Sequence, residues 1–157
     1  MNSKNKKLKI AIAGLGFGKK VHLEALKESD YLTPVAIYHY EKTQKSILEK
    51  ETGLDFFHDW EDLVKSPEID GIIIATPPES RFKLAKQALE NNKNLLLEKP
   101  VSISSSEIEE LQRISLINNL SVCVDFEYRA VPLFLQTKKL IDENIFPKIF
   151  SSISFFV

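Results

Sequence analysis

Residues 10–23 read IAIAGLGFGKKVHL, and this stretch decides the fold. An apolar run is interrupted by Gly14 and Gly16 and is followed by an amphipathic segment. A Gly-x-Gly turn between a strand and a helix lets the backbone approach a phosphate, which then faces the helix N-terminus. The stretch therefore predicts a dinucleotide-binding turn at Gly14 and Gly16. A purely structural turn in an ordinary α/β core is the alternative.

Two positions depart from the dinucleotide pattern. Lys19 stands where a third glycine is usual, so the helix should pack loosely on the strand unless Gly18 takes over one residue earlier. An acid about 20 positions after the glycines normally accepts the ribose hydroxyls of NAD. Here that place, in YHYEK, is occupied by His39. His39 and nearby Lys42 favour NADP over NAD, unless His39 is only a solvent-facing loop residue.

Apolar runs of strand length alternate with amphipathic stretches along almost the whole chain. Six strands are predicted, in the segments LKIAIAG, PVAIYHY, DFF, DGIIIATPP, KNLLLEKP and LSVCVDFEY. This alternation predicts an α/β fold, a doubly wound parallel sheet of about six strands with helices on both faces. Ligands bind such sheets beyond the carboxyl ends of the strands. The candidate loops are therefore 14–19, 38–42, 76–80 and 98–102.

Composition narrows the class of protein. The chain has 157 residues, 43% of them hydrophobic and 27% charged, which is typical of a globular domain. Its net charge of −1 gives no electrostatic reason to expect nucleic acid or a membrane as a partner. Cys123 is the only cysteine, lies in an apolar run and is expected to be a buried structural thiol. A fold held by packing alone suits a cytoplasmic location.

The tripeptide EKP at 98–100 directly follows an apolar strand. Charged side chains against such a strand are costly unless they are paired or used. The residues alone leave two interpretations open, a functional site or a charged turn.

Five segments resemble the Gfo/Idh/MocA oxidoreductases, the family of glucose–fructose oxidoreductase and inositol dehydrogenase. They read, in chain order, AGLGFGKKVHLEAL, DGIIIATPPESRFKLAKQAL, NLLLEKPVS, VDFEYRAVP and LIDENIFPKIFSSISF. EKP after ATPP, followed by Arg-x-x-Pro, is the most specific part of the match. The resemblance implies a Rossmann-type fold. It also implies NAD(P)-dependent hydride transfer between the nicotinamide and a sugar, polyol or related carbonyl substrate.

The resemblance also implies roles for single residues. His39 would bind the cofactor near its ribose. The other cofactor-binding residues would be Gly14, Gly16, Phe17, Gly18, Thr76, Pro77, Pro78, Glu98, Lys99 and Arg129. Lys99 would be the catalytic residue, orienting the reacting carbon and stabilising charge on its oxygen. Glu98 would hold the cofactor region, and Arg129 would support the loop near the nicotinamide. No metal site is expected.

Two further residues, His22 and Arg81, lie at positions of the family pattern. His22 matches a histidine common in the family, and a packing role is expected for it rather than a catalytic one. Arg81 stands where the family often has histidine, and this difference is expected to matter little.

The resemblance divides the chain into an NAD(P)-binding domain at 1–125 and a segment at 126–157. That segment is expected to hold a connecting helix and the first strand of a truncated C-terminal substrate domain, which in the family supplies the proton-transfer residues. The chain alone should thus bind dinucleotide but turn over little or no substrate. The apolar end IFSSISFFV, 149–157, leaves homo-oligomerisation open. The alternatives are a non-catalytic dinucleotide-sensing or interaction module and a degenerate Rossmann domain.

Overall fold

Six strands form one sheet in the computed structural model, which describes residues 6–145. They are β1 (Leu8–Ala13), β2 (Leu32–Tyr38), β3 (Asp55–Phe57), β4 (Gly71–Ile74), β5 (Asn94–Leu97) and β6 (Val122–Val124). Their spatial order is β3-β2-β1-β4-β5-β6, and every neighbouring pair is parallel. The predicted doubly wound α/β fold is confirmed. The strand order reverses between β1 and β4, where such folds bind ligands.

Helical segments connect the strands. They are a π-helical turn at Gly18–His22 that continues into α1 (Leu23–Lys27), a 3-10 turn at Lys42–Gln44 followed by α2 (Lys45–Thr52), α3 (Trp60–Lys65), α4 (Pro78–Glu90) and α5 (Ser105–Ile117). Gly53 ends α2 in the left-handed conformation, with φ of 70°, which glycine adopts without strain. Pro78 begins α4, where its missing N–H has no intrahelical partner to lose.

Both faces of the sheet are covered. Successive side chains of a strand point to opposite faces, and in β1 Ile10 and Ile12 pack with Leu23 and Leu26 on one side. On the other side, alternate residues of β1 and β4 pack against α3, α4 and α5. This larger cluster includes Ala11, Ala13, Leu63, Ile72, Ile74, Ala85, Leu89, Leu111 and Ile114. Burial on both faces explains why β1 and β4 read as continuous apolar runs.

Cys123 does not agree with its predicted burial, because its side chain is exposed. It lies in β6, the last strand of the sheet in the part of the chain that the structure describes. Val122 and Val124 pack against the core, so Cys123 between them points to the opposite face. Apolar neighbours in the sequence do not bury a residue on an edge strand.

The described residues form two compact units that divide between Asp125 and Phe126. The second unit contains a 3-10 turn at Glu127–Ala130 and helix α6 (Pro132–Asp142). The predicted strand at 149–157 lies outside the described residues. Within the described part, no helix has both the length and the apolar character needed to cross a membrane.

Asp59 caps helix α3, and removing its side chain should destabilise the fold. Its carboxylate accepts hydrogen bonds from the backbone N–H of Glu61 at 2.7 Å and of Asp62 at 3.4 Å. We expect Asp59→Ala to lower the free energy of unfolding by about 1 kcal/mol in urea denaturation. The control is Asp30→Ala, at an exposed aspartate, which should change it by less than about 0.5 kcal/mol. Equal effects of both variants would contradict the capping role.

Candidate functional site

Gly14 follows β1 in a conformation that requires glycine. Its φ is +115°, and a Cβ there would lie 2.5 Å from the carbonyl oxygen of Ala75. Ala75 follows β4 and its N–H donates to the carbonyl of Ala13 at 2.8 Å. The turn after β1 is therefore pressed against the loop after β4, at the strand-order reversal.

Gly16 and Gly18 serve different purposes. Among the described residues, no atom lies within 4 Å of a Cβ built on Gly16, so this glycine borders open space. A Cβ on Gly18 would lie 3.0 Å from Cγ2 of Ile12 and 3.2 Å from Cβ of Ala75. Gly18 thus allows the helical turn to pack closely on β1. In dinucleotide-binding folds this close packing is the role of the third glycine.

The π-helical turn explains how Lys19 is accommodated. The N–H of Leu23 bonds to the carbonyl of Gly18, five residues earlier, so the turn holds one residue more than an α-helical turn. The ammonium of Lys19 forms an ion pair with Glu51 in α2. Gly18, one position earlier, makes the close contact with the strand, and Lys19 does not loosen it.

A cleft of about 800 Å³ opens at the carboxyl ends of β1, β2 and β4. It is lined by Gly14, Leu15, Gly16, Tyr38, His39, Tyr40, Ala75, Thr76, Pro77, Pro78, Glu79, Ser80, Arg81 and Leu84. The predicted residues Gly14, Gly16, His39, Thr76, Pro77 and Pro78 are therefore brought together. Its volume lies within the range of small-molecule and cofactor sites in proteins.

Other predicted site residues lie outside this lining. Phe17 is 45% exposed and meets the ring of His22 edge-on, with 5.2 Å between centroids. Gly18 is the first residue of the π-helical turn, and Glu98 and Lys99 follow β5. Arg129 belongs to the second unit, in the turn Glu127–Ala130.

The end of β2 supplies aromatic side chains to the cleft. His39 Nδ1 accepts a hydrogen bond from the N–H of Glu41 at 3.2 Å, which leaves Nε2 to carry the proton of the neutral ring. The rings of His39 and Tyr40 lie 4.6 Å apart. Burial, and then the charge of Asp59, raise the pKa of Tyr38 above its ordinary value, so this phenol is neutral at pH 7.

Glu98 is the buried acid of EKP. It is 9% exposed, and its Oε1 lies 2.9 Å from Nε2 of His22, which is 6% exposed. Its Oε2 accepts the N–H of Lys99 at 3.1 Å. Asp125 Oδ2 lies 3.7 Å from the same His22 nitrogen. Lys99 itself is exposed, and its peptide bond to Pro100 is cis.

His22, Glu98 and Asp125 form a compact group whose ligand-type atoms all lie within 4.8 Å of one another. The 2.9 Å separation of His22 and Glu98 is a hydrogen-bond distance. His22 and Glu98 therefore form a buried hydrogen-bonded pair, and the partly buried carboxylate of Asp125 lies beside it. The pair links the turn after β1 to the loop after β5.

The family model of oxidoreductases with an NAD-binding Rossmann fold matches residues 8–126. The chain belongs to the Gfo/Idh/MocA family. The resemblance seen in the sequence is thereby confirmed.

Relatives and solved structures agree with this assignment. An uncharacterized oxidoreductase of Synechocystis is 33% identical over 144 residues, which are 91% of this chain and 39% of the relative. Inositol 2-dehydrogenase of Rhodococcus jostii is 27% identical over 146 residues, or 90% and 40% of the two chains. The scyllo-inositol dehydrogenase of Lactobacillus casei, with bound NAD(H) and scyllo-inositol, aligns with a TM-score of 0.81 and 26% identity, over 89% and 42% of the chains. This Gfo/Idh/MocA chain thus spans about two fifths of the length of these relatives.

Arg81 is the residue that sequence reasoning missed in this Gfo/Idh/MocA chain. It is 3% exposed, and its guanidinium donates to the backbone carbonyls of Thr76, Glu98 and Pro100. The expectation that Arg81 matters little did not include these buried contacts, and it stays a prediction. The spacing of the sequence indicates that Arg81 is buried, because Arg81, Ala85 and Ala88 lie at i, i+4 and i+7 on the buried face of α4. A charged residue on that stripe needs a specific partner.

Proposed function

We propose that this chain is the cofactor-binding part of an NAD(P)-dependent oxidoreductase. The enzyme would transfer a hydride between the nicotinamide and a carbon of a sugar, polyol or related carbonyl substrate. The observation that carries the proposal is the cleft at the end of β1, where Gly14 meets Ala75 too closely for any side chain and Gly16 leaves open space. Membership of the family supports it. The polyol class is supported by the inositol dehydrogenases among the relatives.

The residues present fit a dinucleotide. Gly16 lies where a pyrophosphate needs unobstructed backbone, next to Phe17 and the first N–H groups of the helical turn. His39 and Tyr40 lie at the end of β2, where the ribose is held in such folds. When bound, the nicotinamide supplies the hydride chemistry.

Lys99 is proposed as the catalytic residue. Its exposed ammonium would orient the reacting carbon and stabilise negative charge on the substrate oxygen. The buried Glu98 holds the backbone of Lys99 through its N–H. Arg129 is proposed to support the loop near the nicotinamide.

Domain roles follow from this assignment. Residues 1–125 would bind the dinucleotide, and 126–157 would lead into the part of the protein that holds a small-molecule substrate and the proton-transfer groups. The isolated 157-residue chain should then bind cofactor with little or no turnover. The exposed thiol of Cys123 favours a reducing, cytoplasmic location.

NADPH is expected to bind more tightly than NADH. Of the described residues at the end of β2, those that line the cleft are Tyr38, His39 and Tyr40. None of these side chains can accept hydrogen bonds from both ribose hydroxyls, as an aspartate does. The Nε2–H of His39 and the ammonium of nearby Lys42 would attract a 2′-phosphate. Calorimetric titration should give a dissociation constant about fivefold lower for NADPH, a free-energy difference of about 1 kcal/mol. Tighter binding of NADH would overturn this preference, and binding of neither would overturn the proposed function.

The residue responsible can be identified with one exchange. His39→Asp should shift the affinity ratio toward NADH by about tenfold, because the carboxylate accepts ribose hydroxyls and repels a phosphate. His58→Asp is the matched control at an exposed histidine outside the cleft lining, and it should leave the ratio unchanged. A shift in the control as large as in His39→Asp would indicate a long-range charge effect.

A further inference from the structure

Arg81 is a buried cation held by backbone carbonyls. Its guanidinium donates to the carbonyl oxygen of Glu98 at 2.6 Å and to those of Thr76 and Pro100. Its Nε is buried without a hydrogen-bond partner among the described residues. Burial lowers the pKa of Arg81 below its ordinary value, and the charges of Glu98 and Glu79 oppose this shift.

The three carbonyls belong to two different loops. Thr76 follows β4 and lines the cleft, as Arg81 itself does. Glu98 and Pro100 follow β5 and flank Lys99 on both sides. One side chain therefore ties the wall of the cofactor cleft to the backbone from which Lys99 projects.

Packing on α4 alone does not explain an arginine at this position. Ala85, Ala88 and Leu89 on the same face of α4 are fully buried and apolar, so an apolar residue at 81 would avoid the cost of burying a charge but would leave the three carbonyls without this donor. The unpaired Nε adds to that cost. The planar guanidinium, in contrast to an ammonium, offers several donors at fixed angles. The guanidinium can therefore hold the carbonyls of the two loops at a fixed distance from one another.

We propose that Arg81 is a positioning residue for Lys99: by binding the carbonyls of Thr76, Glu98 and Pro100 it sets the distance between the cofactor cleft and the Lys99 ammonium. This inference rests on the proposed function, because it assumes that Lys99 acts beside a bound nicotinamide dinucleotide. Arg81 acts on the loop backbone and does not itself take part in the reaction.

The test measures where Lys99 lies when cofactor is bound. Surface amines are acetylated with a water-soluble reagent, once without and once with dinucleotide. The dinucleotide is whichever of NADPH and NADH binds the wild-type chain more tightly. The modification of each lysine is then read by mass spectrometry. Exposed Lys83 in α4 is the internal reference.

In the wild type, saturating dinucleotide should lower acetylation of Lys99 by about tenfold relative to Lys83. In Arg81→Lys and Arg81→Gln, the protection should fall below about twofold, because a shift of about 1 Å is enough to lose such a contact.

Measuring the acetylation of each variant at a saturating dinucleotide concentration separates an effect on the position of Lys99 from an effect on cofactor affinity. A purely structural role of Arg81 would lower the melting temperature or the affinity yet leave Lys99 protected at saturation, which would overturn the proposal. Loss of the fold in both variants, or an unprotected Lys99 in the wild type with cofactor bound, would also overturn it. Arg113→Lys, at an exposed arginine of α5, should behave as wild type. Absence of dinucleotide binding by the wild type is a different result, because it overturns the proposed function on which the inference rests.

Discussion

Gly16→Val is expected to weaken dinucleotide binding by at least about 100-fold, or about 2.8 kcal/mol, while leaving the fold intact. No atom of residues 6–145 lies within 4 Å of a Cβ at this position, so the valine should displace no neighbouring group. Its methyl groups fill the space in which the pyrophosphate would approach the backbone. Calorimetric titration with NADPH and NADH measures the affinity. Thermal unfolding should shift by less than about 2 °C, as for a change of about 0.5 kcal/mol.

Two other glycines provide controls with different signatures. Gly14→Ala should lose both stability and binding, because φ is +115° and the new Cβ would lie 2.5 Å from the carbonyl oxygen of Ala75. Gly53→Ala, at φ of 70° with open space around it, should cost about 1 kcal/mol of stability and leave the affinity unchanged. If Gly16→Val bound NAD(P)H as tightly as the wild type, the turn would not be the cofactor site.

Most of the fold could be predicted from the sequence because it rests on local patterns. The run GIII at 71–74 predicts a strand covered on both faces, and β4 is that strand. Asp59 and Gly53 mark a helix start and a helix end, and both occur there. The exposure of Cys123 could not be predicted, because it depends on which strand lies at the edge of the sheet.

The site was predictable where backbone geometry requires a residue type. The positive φ of Gly14 and the close packing of Gly18 follow from a strand–turn–helix unit. The π-helical turn was not predicted, since one additional residue in a helical turn leaves no periodic signature over five residues. The bonds of Arg81 and the pairing of His22 with Glu98 join positions far apart in sequence, and one sequence does not specify such pairs.

His22→Ala is expected to lower the free energy of unfolding by about 3 kcal/mol, because it removes a buried ring and leaves Oε1 of the buried Glu98 carboxylate without its hydrogen-bond partner. The side chains of His22 and Glu98 are 8% and 11% exposed. Asp125 Oδ2 lies 3.7 Å from the same imidazole nitrogen, so removal of the ring also leaves two neighbouring carboxylates without the imidazole between them. Urea denaturation gives the free energy. A loss of this size is a large part of the stability of an ordinary domain.

A double-mutant cycle separates the charge effect from the cavity that alanine leaves. The cycle combines His22→Ala with Glu98→Gln, which keeps the shape of the side chain and removes its charge. The cavity is present with either residue at 98, so the coupling energy reports the pairing alone and should reach about 2 kcal/mol. His58→Ala, at an exposed histidine, should cost less than about 0.5 kcal/mol of stability.

A coupling energy near zero would mean that His22 only fills space, which is the packing role that the sequence predicts. A large one would mean that His22 anchors the acid whose Oε2 holds the backbone of Lys99, so the turn after β1 and the EKP loop would be stabilised as one unit.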